Sequence, residues 1–295
     1  MNQLTLAIGF GLVTSAILAL CAVGFTLQFG VSNILNLAYG DVMTVSAFMA
    51  YLVNASGAGI WLAICAGAAT GAVVSVLIST LIFTPFLRRG TSRFAMVMVS
   101  LALAVILQNA IQAVAGPAFR SYSRSQGTSL HLLGMILTPY QLVIIGVAAA
   151  SMLALHLLLR YTRIGKALRA TAADAELARS CGIATERVSA LAWAISGALC
   201  GLGGVTLALN LASFDFHFGN AFLLVIVAAA VFGSVGQPYG AMVGALVIGM
   251  ASELAAIWTP SLKQVVAFVI LALILLVRPA GLWRKSFVQM DVAAR

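Results

Sequence analysis

Residues 4–29 read LTLAIGFGLVTSAILALCAVGFTLQF, twenty-six positions without a charged side chain. A bilayer core about 30 Å thick is crossed by about 20 apolar residues at a rise of about 1.5 Å each, so this run is long enough to span it as a helix. It lacks the basic start and short apolar stretch of a secretory leader, which predicts that it remains as the first span.

Eight more apolar runs follow, at 34–53, 60–86, 94–114, 140–159, 189–211, 221–235, 239–257 and 262–277. The second is interrupted by Asn36, Tyr39, Gly40 and Asp41, and the seventh and ninth are short, so eight or nine spans are expected. Hydrophobic residues make up 62% of the 295 and charged residues only 8%, far below the roughly 25% charged of an ordinary soluble domain. No polar stretch is long enough for a separate globule. The chain therefore reads as a single all-α membrane domain over 1–295, a polytopic bundle with one cytoplasmic loop at about 160–188.

The net charge of +9 does not point to nucleic acid, because the cations sit in short loops between apolar runs and not on one solvated face. With nine alternating spans, thirteen of the sixteen Lys and Arg residues fall on one side, while Arg120, Arg124 and Lys263 fall on the other. The positive-inside bias then places the 160–188 loop and the C-terminus in the cytoplasm of a bacterial inner-membrane protein, with the N-terminus outside. Gly67 and Gly71, Gly197 and Gly201, and Gly236, Gly240 and Gly244 recur at helical spacing, which predicts close helix packing.

The loop at 161–190, YTRIGKALRATAADAELARSCGIATERVSA, is the one sizeable stretch of mixed charge. Thr162 is placed to cap a short helix running to about Ala170, and a second helix from about Ala172 to Ser180 is placed to end at Gly182. The small side chains of Ala170, Ala172, Ala173, Ala175 and Ala178 make a face suited to another protein's groove, with Arg163, Lys166, Arg169 and Arg179 directed outward. A solvated or headgroup-facing loop is the plainer alternative.

The spacing Thr162, Gly165, Arg169, Ala170, followed by Ala178 and Gly182, resembles the loop of the branched-chain amino-acid ABC transporter permease family, of the LivH type. Similarity extends over 24–51, where Tyr39 stands at a position often occupied by His, and over 195–204, 232–244 and 278–282, nearly the whole chain. The resemblance implies that Thr162, Arg163, Gly165, Arg169, Ala170, Asp174, Glu176, Ala178 and Gly182 couple to an ATP-binding subunit. It further implies branched-chain amino acids or related small solutes as cargo, a second permease subunit, identical or homologous, and a periplasmic solute-binding protein. The loop at 116–138, with Phe119, Arg120, Tyr122 and Arg124, is the candidate contact for that protein, with a plain connecting loop as the alternative.

The chain has no GxxxxGK[ST] phosphate loop, so it is not expected to be an enzyme; ATP and Mg would be bound by partner subunits and no cofactor by this chain. Cys21, Cys65, Cys181 and Cys200 and the three histidines show no metal-ligand spacing. A carboxylate inside a bilayer costs about 2.5–3.5 kcal/mol on insertion scales and should face a cavity or a partner, which singles out Asp41. Gln28, Asn33, Asn36, Tyr39, Asp41 and Asn109 are the candidate lining of a translocation path, with Gly30 and Gly40 permitting a break in the helix; a structural cap or interfacial turn is the alternative for the cluster at 33–41. Gln108, Asn109 and Gln112 share a face of the fourth span, better suited to bonding neighbouring helices. An ion-gradient-driven transporter is the rival reading; Asp41 and Glu253 are few groups for ion coupling.

Overall fold

A computed structural model describes residues 3–57, 59–122, 130–132, 135–211, 213–259 and 262–277. The 278–282 motif, Arg124 and the C-terminal cations lie outside the described residues. In chain order the helices are α1 (Gln3–Ser32), α2 (Tyr39–Ala55), α3 (Ile60–Ile78), α4 (Thr84–Arg88) and α5 (Arg93–Ala115). A small antiparallel hairpin, β1 (Leu130–Leu132) and β2 (Met135–Leu137), precedes α6 (Pro139–Tyr161), α7 (Arg163–Ala173), α8 (Ala175–Ser180) and α9 (Thr185–Asn210). The chain continues through α10 (Phe218–Gly233), α11 (Pro238–Ala255) and α12 (Leu262–Val277).

Every apolar run becomes a helix, and the protein is an all-α polytopic membrane protein. Among the described residues six helices are long and apolar enough to cross a bilayer: α1, α3 with α4, α5, α6, α9 and α11. The remaining three are shorter. At 17 and 16 residues, α2 and α10 reach only about 24–26 Å; of α12, 16 residues are described. The run at 34–53 forms helix only from Tyr39, because residues 33–38 leave the helical path. Between α3 and α4 the ladder widens into a π-helical stretch, Ser79–Phe83. Pro85 follows it; without an N–H, it cannot bond the carbonyl four residues back.

The most buried spans are α1 and α9. α11 lies antiparallel along α1, with Gly11 against Met250, Gly249 against Ser15 and Gly236 against Gly30. The glycine pairs of α3 and α9 meet each other. A Cβ on Gly71 would lie 2.2 Å from the Gly197 carbonyl oxygen, and one on Gly201 would lie 2.2 Å from that of Gly67. The pairing of α10 with α11 repeats the device, Gly233 against Gly240 and Gly244 against Ala229. Lipid offers no hydrophobic gain for joining two apolar helices, so this backbone-to-backbone approach supplies the packing attraction.

Gly71→Ala and Gly201→Ala should each destabilise the purified chain by about 1–3 kcal/mol, since the added methyl meets backbone that has nowhere to move. Gly146→Ala in α6, where a Cβ meets open space, should be neutral or stabilising by up to about 1 kcal/mol. Thermal unfolding in detergent distinguishes the two classes.

Candidate functional site: a broken helix pair and a surface helix pair

α1 ends at Ser32, and Asn33 turns the chain in the left-handed region at φ 54°, a conformation Asn tolerates better than most residues. The break therefore sits at Asn33 and not at the glycines: Gly30 lies inside α1 and Gly40 inside the first turn of α2. The segment up to Ala38 is held from outside and from within. Ser100 of α5 accepts the Leu37 N–H at 3.3 Å and donates to the Leu35 carbonyl at 3.2 Å, while Asn36 Oδ1 accepts the Ala38 N–H at 3.1 Å.

Beyond the break, α2 begins in the protein interior. Tyr39 is fully buried, donates to the Cys21 carbonyl at 3.0 Å and packs edge-on against Phe25. Its own carbonyl accepts from Cys200 Sγ. Gln28 Oε1 accepts from Ser196 Oγ at 3.1 Å. Gln28, Asn36, Tyr39 and Asp41 are thus all buried near the α1–α2 break and the facing part of α9. Gln28 Nε2, Asn36 Nδ2 and both Asp41 carboxylate oxygens are buried with no hydrogen-bond partner among the described residues. Buried polar atoms without partners are costly. The positive end of α2, whose first turn carries Asp41, offsets part of that cost for the carboxylate.

Gly40 packs directly on Gly219, so the N-terminal turns of the two short helices α2 and α10 touch. Each follows a non-helical segment, 33–38 and 213–217. Two of the six sequence-predicted path residues are outside this buried group. Asn33 is exposed, and Asn109 lies on the exposed face of α5, where its amide donates to the Val105 carbonyl of its own turn at 2.7 Å. Gln108, by contrast, bonds His217 ahead of α10, an interhelical use of the kind expected. Sequence reading assigned none of Ser100, Ser196 and Cys200 to this region; for Ser196 and Cys200, their spacing by one helical turn on an apolar helix was the available signal.

Glu253 accepts from Thr14 Oγ1 at 2.8 Å and pairs with Lys263 Nζ at 2.7 Å. The start of the outer loop is tied down: Arg120 and Phe214 exchange backbone hydrogen bonds of 2.9 Å, and Tyr122 donates to the Ala47 carbonyl at 2.8 Å. Phe119 remains exposed beside them.

The 161–190 loop forms two helices, but the first runs on to Ala173 and the bend falls at Asp174, not near Thr171, because the Asp174 carboxylate caps the second. Thr162 Oγ1 caps α7 by accepting the Gly165 N–H at 3.0 Å. Asp174 caps α8, one carboxylate oxygen accepting the Glu176 and Leu177 N–H groups at 2.9 Å each. α8 ends in a Schellman turn, with Gly182 at φ 85°, its N–H on the Arg179 carbonyl and the Ile183 N–H on that of Ala178. Arg163, Lys166, Arg169, Ala173, Ala175, Glu176 and Leu177 are exposed, and Ala170 is half-buried. Gly165 and Ala178 are buried. A Cβ on Gly165 would lie 2.2 Å from the Leu158 carbonyl oxygen, so its place in the motif is set by the α6–α7 corner and not by an outward surface.

Residues 7–277 match the family model described as branched-chain amino acid transport system, permease component. The chain belongs to that family. It is 30% identical to the high-affinity branched-chain amino acid transport system permease protein LivH of Escherichia coli strain K12, over 95% of each chain. It is 28% identical to the corresponding protein BraD of Pseudomonas aeruginosa, again over 95% of each. A probable LivH of Methanocaldococcus jannaschii is also 28% identical, over 93% of this chain and 92% of the relative. Among solved structures, a chain of PsaBC from Streptococcus pneumoniae in complex with Fab has the same fold at a TM-score of 0.51 and 17% identity, covering 91% of each chain. Members of the family are transport permeases, and this chain is a multi-pass membrane protein of that kind.

Gly165→Trp or Ala178→Trp should lower the yield and thermal midpoint of the isolated chain. Leu177→Ser, at a side chain 62% exposed, should change its stability by less than about 0.5 kcal/mol. Size-exclusion profiles after heating report the difference.

Proposed function

We propose that this chain is the membrane-spanning permease subunit of an importer for branched-chain amino acids or related small solutes, driven by ATP hydrolysed on partner subunits. The observation that carries this reading is the α7–α8 pair. It is an ordered, capped helix pair at the most cationic end of the bundle, presenting Arg163, Lys166, Ala173, Ala175, Glu176 and Leu177 outward, with Arg169 at the edge of that face, towards α1 and α6. The named activity of the relatives supports the cargo class.

In this account the whole chain acts as one membrane domain, with its N-terminus outside and α7–α8 in the cytoplasm of a bacterial inner membrane. The exposed face of α7–α8 docks on the ATP-binding subunit, while Gly165, Ala178 and Gly182 shape the pair from behind. A second permease subunit completes the assembly, and a periplasmic solute-binding protein delivers cargo to the outer face. Closure of the ATP-binding subunits moves α7–α8, and α6 and α9 carry that movement to the broken helices. Gln28, Asn36 and Asp41 then serve the cargo's passage, whereas Tyr39 holds α2 against α1.

Reconstituted with its ATP-binding, permease and solute-binding partners, the wild type should take up leucine with ATP hydrolysis. Ala175→Trp with Leu177→Asp should abolish both uptake and co-purification of the ATP-binding subunit. Uptake that persists in the variant and follows a proton or sodium gradient would contradict the proposal in favour of a secondary transporter. Asp41→Asn should leave assembly intact yet slow uptake by about tenfold to a hundredfold, the scale of one lost charge-assisted contact. Unchanged uptake in that variant would remove Asp41 from the path.

A further inference from the structure

A cavity of about 490 Å³ opens where α1, α6 and α7 meet the turn between α10 and α11. Its walls are mostly apolar, with Leu27, Val31, Leu159 and Leu168 among them, and no acidic side chain lines it. Two arginines do, Arg160 at the end of α6 and Arg169 on α7. Neither has a carboxylate partner among the described residues; Arg160 lies over the Tyr161 ring, 5.6 Å from its centroid. The first turn of α11, which carries Pro238 and Tyr239, forms another wall, and the positive end of that helix adds to the same sign. His156 Nδ1 and the Tyr239 hydroxyl, 3.0 Å apart, join α6 to α11 across the site.

Mostly apolar walls whose charged side chains are both arginines select an amphipathic anion. A bare phosphate would leave the apolar part unfilled, and a zwitterion would bring an ammonium group that finds no acid. We infer that the cavity binds an anionic phospholipid of the adjoining leaflet, its headgroup on Arg160 and Arg169 and the upper part of an acyl chain against Leu27, Val31 and Leu168. Arg160 closes an apolar span, the depth at which headgroups lie, and a lipid reaches the opening without crossing water. Because α7 forms one wall, an occupying lipid ties that helix to α1 and to the α10–α11 turn. Lipid composition thereby acts on the helix pair that the proposed function uses for coupling, although the binding itself is independent of that reading.

The test extracts the full chain, with any partners that accompany it, from vesicles of phosphatidylcholine mixed with phosphatidylglycerol, and measures retained lipid by native mass spectrometry. The wild type should retain phosphatidylglycerol in preference to phosphatidylcholine. In Arg160→Gln with Arg169→Gln that preference should fall by about tenfold or more, the order expected from removing two cationic contacts to an anionic headgroup. Arg89→Gln with Arg163→Gln, the same charge change outside the cavity, should keep it. Ala172→Phe fills the cavity with both arginines in place and should also lose the lipid, and an unchanged thermal midpoint shows that each variant is folded. Equal retention in the arginine pair and the wild type would overturn the inference, as would equal loss in the outside control. So would displacement of phosphatidylglycerol by inorganic phosphate or by 4-methyl-2-oxopentanoate, which would make the site one for a soluble anion.

Discussion

Hydrocarbon cannot hydrogen-bond a peptide group, so any backbone that leaves helical geometry within a membrane protein must find its partners inside the protein. This constraint governs the two breaks that shape the molecule. At 33–38 it is met by Ser100 and by the Asn36 side chain, and at 213–217 by the exchange between Arg120 and Phe214. With those groups supplied, α2 and α10 start within the bundle and touch at Gly40 and Gly219. Continuous spans would have buried the same apolar area without bringing two helix N-termini and a carboxylate into the interior.

Close glycine contacts then decide which surfaces can move and which cannot. α3 and α9 are in backbone contact through Gly67, Gly71, Gly197 and Gly201, and α11 is set against α1 by Gly11 and Gly249. α5 and α6 are much less covered by the rest of the chain, with small buried fractions for such apolar helices. α7–α8 lies on the connection between α6 and α9, so one of its ends is joined directly to the glycine-packed group of α1, α3, α9 and α11.

Most of the fold was legible in the sequence because bilayer thickness converts directly into a required length of apolar chain. The α7–α8 pair was legible too, since Thr162 and Gly182 are residues with specific cap chemistry. The direction of side chains was not. Gly165 and Ala178 match a docking motif by spacing, yet one is fixed by the α6–α7 corner and the other by the chain's own interior. Asn109 looks like a path residue beside Gln108 until its amide turns back on Val105. Glu253 found its partner in Lys263, ten residues along and past the end of α11, a pairing that helical periodicity does not indicate. In each case the deciding contact comes from another element, or from a backbone group that composition does not display.

The central claim is that the outward face of α7–α8 is where the ATP-hydrolysing partner engages. The most direct measurement is site-specific photo-crosslinking in native membranes, with the photoreactive side chain at Leu177 or Ala175 and, as an inward comparison, at Leu155 of α6, which is buried. Capture of the ATP-binding subunit from Leu177 and Ala175 but not from Leu155 is the predicted result. Lipid adducts alone from the two outward positions would contradict the account and return the pair to the role of a headgroup-facing loop.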